Sequence, residues 1–246
     1  MKKALLIAVA LILAVGFIAC QDEFGGIRNT GESKILEPMG AGSSPYFPYE
    51  EGKTWNYETI TNDEIDYPDD FPMEDTSWTD TFTYVSEVIR ETELTGSNPL
   101  PVWEIRTISS EGPPAFSYSH VGQDSAYIYD EISDSETGTV FPSIPELGDA
   151  WEIYTVADSA DTHRTYYNVI EDDVEANGYT DCLKIEVMPE WVEDFDEYEN
   201  FQYWAWDEGV VMTTLWMMMK IPAVEDTTIY TFEGETRLIK GPGIEE

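Results

Sequence analysis

The chain has 246 residues, of which 42% are apolar and 13% aromatic, so it can build a core and is not a disordered acidic tail. Fifty Asp and Glu stand against twelve Lys and Arg, a net charge of −38. That excludes nucleic acid as a partner, because phosphate binding needs a basic surface, and it sets the folded domain against anionic lipid headgroups.

At the N-terminus Lys2 and Lys3 precede an apolar run from Ala4 to Ile18. A basic start, an apolar stretch and small residues are secretory-signal features. The stretch is shorter than the roughly 20 residues that span a hydrocarbon core, which argues against a transmembrane anchor. Phe17-Ile18-Ala19-Cys20-Gln21 resembles the cleavage site of a bacterial lipoprotein signal. The resemblance implies a signal over 1–19, acyl chains on Cys20, and a membrane tether through them. Asp22 and Glu23 resemble the acidic tether of lipoproteins sent to the outer face. The expected location is the cell envelope, as an outer-membrane lipoprotein that is periplasmic or surface-exposed. Cys182 is then the only thiol left, so no internal disulfide is expected. Residues 20–45 read as the acylated cysteine and a Gly/Ser-rich flexible linker, about 25 residues spanning roughly 25–30 Å.

From Tyr46 onward strand formers alternate between turn residues. The pattern predicts strands near Thr54–Thr61, Thr81–Arg90, Val102–Ser109, Ala115–His120, Ser125–Asp130, Ala150–Ala157, Thr162–Ile170, Asp181–Met188, Asn200–Trp206, Val210–Ile221, Thr227–Phe232 and Glu235–Lys240. Glu190–Glu199 is a candidate short helix. Short loops and no helical crossovers favour antiparallel meanders. The expected fold is all-β: one acidic domain over 46–246, a curved antiparallel sheet of about 11–12 strands. Its form would be a half-barrel or open barrel, with a sandwich as the alternative.

Two segments share the pattern G-x-x-W-x-apolar: Gly52 to Tyr57 and Gly148 to Ile153. Each opens a predicted strand after a proline. Glycine takes the positive φ of a tight turn, and the tryptophan then faces the core. We read them as one structural device used twice, with burial expected at both Trp55 and Trp151.

The residues from Tyr46 to Tyr57 resemble the FPLxxGNxWxY opening of a group of bacterial envelope lipoproteins. Gly178 to Ile185 resembles their GxYxDCLKV strand, and Tyr203 to Val211 their closing YYAxGVGLV hairpin, with valine where the second glycine stands. Such proteins are similar to TapB-type periplasmic domains. The resemblance implies a curved antiparallel sheet, like the half-barrels of lipoprotein carriers, and supplies no catalytic residues.

Chemistry-bearing motifs are sparse. His120 and His163 are the only histidines, and neither sits in a recognisable motif. Cys182 lies on a strand with no activating base to name, and free cysteine is usually a small buried hydrophobe. No catalytic residue is assigned and no enzyme activity is expected. Asp63, Glu64, Asp66, Asp69, Asp70, Glu74 and Asp75 crowd one predicted loop; Glu190, Glu193, Asp194, Asp196, Glu197 and Glu199 crowd another. Neither has the spacing of an EF-hand loop, so both read as solvated, with a structural Ca²⁺ as the alternative and no other cofactor.

Asn200 to Ile221 is the candidate functional surface. An aromatic strand turns at Asp207-Glu208-Gly209 and returns rich in valine and methionine. Strand alternation sets Trp204 and Trp206 on one face, opposite Phe201 and Tyr203. The return strand is apolar on both faces near Leu215 to Met219, so both faces must be covered, by the protein itself or by a ligand or partner. The ligand-site candidates are Trp204, Trp206, Trp216 and Met218. The expected function is a non-catalytic envelope lipoprotein, structural or binding an apolar ligand or envelope protein in a curved sheet. The alternative is a surface carbohydrate-binding or carbohydrate-degrading protein that uses exposed tryptophans and paired acids. A deep apolar groove would favour the first, a flat exposed tryptophan row beside two acids the second.

Overall fold

Runs of alternating side chains, broken by Gly, Asp, Asn or Pro, fold into twelve strands. The computed structural model describes residues 40–68, 74–95, 99–110, 112–132, 139–158, 161–222 and 227–240. The predicted signal, Cys20 and most of the linker lie outside them. In chain order the strands are β1 Thr54–Asp66, β2 Thr76–Glu93, β3 Pro101–Ser109, β4 Ala115–Val121, β5 Ser125–Tyr129 and β6 Thr139–Pro142. They continue as β7 Ala150–Asp158, β8 Asp161–Ala176, β9 Tyr179–Pro189, β10 Glu197–Ala205, β11 Gly209–Pro222 and β12 Thr227–Lys240. Glu190–Asp194 forms one 3-10 turn.

Several observed elements differ from the predicted ones. β1, β2 and β8 run five or six residues past their predicted bounds, so Asp63, Glu64 and Asp66 lie on a strand and not in a solvated loop. The candidate helix over Glu190–Glu199 is only the 3-10 turn, and Glu197 and Glu199 belong to β10. The four-residue β6 went unread because it is too short to show an alternation. The last two predicted strands are one, β12. Gly234 does not break it, because it is held on both sides, opposite Thr61 on β1 and Leu215 on β11.

All twelve strands lie in one sheet, in the order β6-β5-β4-β3-β2-β1-β12-β11-β10-β9-β8-β7. Chain neighbours pair antiparallel except β6 and β7, and β1 also pairs with β12, so the two ends of the domain are zipped together. The sheet is nearly closed into a barrel with one unsealed seam, between β6 and β7. No sandwich forms. Side chains bridge the seam: the Phe141 ring of β6 lies 6.5 Å from Trp151 of β7 and 6.1 Å from Tyr167 of β8.

The G-x-x-W device is present twice with the same hydrogen bonds. Gly52 and Gly148 take φ of 82° and 88°. Gly52 N–H donates to the Val88 carbonyl, and Val88 N–H donates to that of Lys53; Gly148 and Asp149 exchange the same pair of bonds with Val169. The likeness continues outward. β2 shifts register against β3 between Val88 and Arg90, opposite Ile105 and Glu104. β8 shifts against β9 between Val169 and Glu171, opposite Ile185 and Lys184. The next strand carries Phe116-Ser117-Tyr118 in one case and Phe201-Gln202-Tyr203 in the other, in the same register. The barrel is therefore two six-strand meanders built on one plan, β1–β6 and β7–β12.

Barrels of eight strands are just filled by their own side chains, and wider ones leave a lumen. Here the segment before β1 helps fill it. Residues 40–45, read from sequence as the end of the linker, are docked as a strap across one mouth. Ala41 N–H donates to Glu91 Oε1 at 2.8 Å, and its carbonyl accepts from Val121 N–H at 2.8 Å. Trp103 Nε1 donates to the Gly42 carbonyl at 2.6 Å, and Ser44 Oγ to that of Ser143 at 2.7 Å. On the far side Asp207 N–H donates to the Pro45 carbonyl at 2.8 Å. Gly42 lies at φ 73°, and a Cβ there would fall 1.8 Å from the Val121 carbonyl oxygen, so only glycine allows so close an approach.

Candidate functional site: an aromatic cavity under the strap

The strap carries Tyr46 and Phe47 into the barrel, where both are buried. Phe47 packs edge-on against Trp204 at 5.4 Å, and Tyr46 lies 6.3 Å from the same indole. Tyr49 follows, edge-on to Trp55 at 6.1 Å. On β1 the inward positions are Trp55, Tyr57, Thr59, Thr61 and Asp63, as alternation requires. Tyr57 stacks on Tyr84 of β2 at 4.9 Å. Between these rings the packing leaves a cavity of about 80 Å³, room for several waters. Ser86, Ile105, Thr107, Ser117 and Ile128 complete its wall from β2 to β5, and Glu208, Gly209 and Val210 from the β10–β11 turn.

That turn is fixed by Asp207 at φ 63° and Gly209 at φ 81°. Its backbone is anchored by cavity residues: Trp55 Nε1 donates to the Glu208 carbonyl at 3.0 Å, and the Tyr57 hydroxyl to that of Val210 at 3.1 Å. Glu208 is only 9% exposed, and its Oε2 has no hydrogen-bond partner among the described residues. Burial pushes its carboxyl above the usual range; Lys53 opposes that rise and Asp207 adds to it. Lys53 holds its ammonium 5.4 Å from the Trp55 ring and donates to the Asp207 carbonyl at 3.0 Å.

Deeper along β1 the lumen turns polar. The Thr59 and Thr236 hydroxyls share a hydrogen bond of 2.8 Å, and Tyr230 donates to Asp63 Oδ1. Asp63 is 2% exposed, its Oδ2 lacks a partner among the described residues, and burial raises its carboxyl pKa.

The four sequence-predicted ligand residues fall in three places. Trp204 is buried in the lumen and lines the cavity, its Nε1 donating to Gln202 at 3.0 Å. Trp206 lies past the end of β10, 57% exposed, with only its edge contact to Tyr46 at 5.7 Å joining it to the strap. Strand alternation thus stops one residue before it. Trp216 and Met218 sit on the outer face, opposite Glu199 and Glu197 of β10. No row of three tryptophans forms.

The other candidates are dispersed. His120 Nδ1 lies 2.8 Å from the Pro101 carbonyl oxygen. Cys182 is fully buried beneath the β8–β9 hairpin, where burial pushes its thiol up, away from thiolate chemistry. Asn177 pins that hairpin over the barrel by donating to the Val211 and Leu238 carbonyls. Among the described residues no three His, Cys, Asp or Glu side chains gather to hold a metal; Asp69 and Asp70 lie outside them.

Tyr46, Tyr49, Tyr57 and Glu208 were not singled out by sequence reasoning. The aromatic cluster ahead of the first strand was the available signal, since apolar rings in a true linker would face water. No family model, curated protein or solved structure matches the chain.

Proposed function

We infer that the chain is a non-catalytic binding protein of the bacterial cell envelope, tethered through Cys20, that holds a small ligand in the strap-covered mouth of its barrel. One observation carries the binding part: aromatic rings from the strap, β1, β2 and β10 surround unfilled space instead of closing on it. Interiors normally pack to crystal-like density, so a ring-lined void costs stability unless something occupies it. The strap supports the same reading, because its docking bonds cross the mouth and Tyr46, Phe47 and Tyr49 reach into the wall. The carbohydrate alternative loses its motivating feature, since Trp204, Trp206 and Trp216 are separated.

A neutral environment-sensitive dye should bind the folded protein saturably. Ser117→Phe, which adds a ring into the void, should abolish binding while the protein still melts cooperatively. A wild type that fails to bind the dye would leave the barrel a purely structural module. The tether is read separately: labelled palmitate should enter the wild type and not Cys20→Ala, and equal labelling would remove the anchor.

A further inference from the structure

We propose that the ligand of this cavity is a small organic cation, its ammonium group set against the Glu208 carboxylate and between the surrounding ring faces. The inference rests on the cavity being a binding site and names the chemical class it takes.

Glu208 lines the cavity and its buried Oε2 has no partner among the described residues, so its charge is costly, and a cation held beside the carboxylate lowers that cost. Glu208 cannot relieve itself locally. Its N–H already donates to the Ala205 carbonyl, and its own carbonyl accepts from Trp55. Lys53 is the one cation near it, and no ion pair closes between the two among the described residues. Lys53 faces Glu50, Asp207 and Glu208 together, so the mouth carries three acids to one base. The hydroxyls of Tyr57 and Tyr179 also face Glu208, and neither brings positive charge.

The walls select the type of cation. Calcium and magnesium demand six or more oxygen ligands, and this site presents one carboxylate amid rings. Ring faces instead attract diffuse organic cations, more strongly when water is excluded. The Lys53 ammonium over Trp55 is an internal instance of that contact. Tyr49, Tyr57, Tyr84 and Trp204 supply further rings around the void. The net charge of −38 adds a long-range field that concentrates cations at the surface.

The experiment uses the purified protein with tetramethylammonium chloride as probe, sodium chloride at equal ionic strength as control, and tert-butanol as the neutral isostere. Tetramethylammonium should displace the neutral dye saturably and shift tryptophan emission with the same saturation, while sodium chloride and tert-butanol do neither. In Glu208→Gln the cation should weaken about tenfold or more relative to the dye. Should that variant not fold, Tyr84→Leu, which removes a ring face, must weaken the cation more than the dye. Dye binding without displacement, displacement by tert-butanol as well, or equal cation affinity in Glu208→Gln would each overturn the cation and leave the cavity reading standing. Failure of dye and cation alike would overturn both.

Discussion

Glu208 shows how a turn residue acquires a role from its surroundings. In sequence it belongs to Asp207-Glu208-Gly209, a plain acidic turn, and nothing in its spacing distinguishes it from the other forty-nine acids. In the fold the Trp55 indole holds the Glu208 carbonyl and the residue is buried. Its folded-state pKa is raised, so the fold prefers the protonated form. That contribution is complete below the unfolded value, near 4.3–4.5, and is lost as pH rises through the folded value. Glu208→Gln should therefore melt higher than wild type at pH 7, with the difference vanishing below about pH 4. Melting curves across that range check it; a variant less stable at neutral pH would mean that Lys53 outweighs burial. Trp204 was legible because alternation aims it inward. Trp206 was not, because the strand ends at Ala205 and the turn, not the pleat, sets its direction.

Strands and turns were the most legible level. Alternation marks most strands to within a few residues, since each has one face on the lumen and one on water. The G-x-x-W pattern marks a real device, seen in the matched bonds to Val88 and Val169. What the pattern hid was the unequal setting of its two copies. Trp55 is buried and its Nε1 is satisfied by Glu208; Trp151 is half-buried at the seam, stacked on Tyr167 at 5.3 Å, its Nε1 without a partner among the described residues. Trp55→Ala should cost about 3–5 kcal/mol in urea unfolding, and Trp151→Ala clearly less. Hydrogen exchange should rise at β6 and β7 in Trp151→Ala, because the seam has side chains and no ladder to hold it. Equal costs, or exchange unchanged at the seam, would show that its rings do not close the barrel. The strap escaped sequence reading because Gly40, Gly42 and Ser43 signal flexibility in isolation, whereas here Gly42 is the residue that lets the chain touch Val121.

The whole molecule balances its acids poorly. Arg90, Arg106, Lys220 and Arg237 each meet a carboxylate, but all four pairs are partly exposed and contribute little apiece. Self-repulsion at −38 should therefore be screened by salt, and the melting temperature should climb between low and molar NaCl. A flat profile would show that the acids are already spread widely enough. All-β class and one-sheet curvature were legible at this scale from short loops without crossovers. Closure was not, because which strand meets which across the barrel is a long-range fact with no local mark. That closure carries a consequence for how the protein is made. The ladder joining Tyr57 to Leu238 unites β1 with β12, far apart in the chain, while the open seam separates two strands that are adjacent in it. Each six-strand meander needs only near neighbours and can form as it emerges. β1 keeps a bare edge until β12 is released, so the nascent domain must carry an unpaired strand through most of its own synthesis. Loop closure of that length is slow, and an exposed edge invites wrong partners. The closing step belongs to β12: without it the two meanders share no ladder, and each carries a bare edge, β1 on one and β11 on the other.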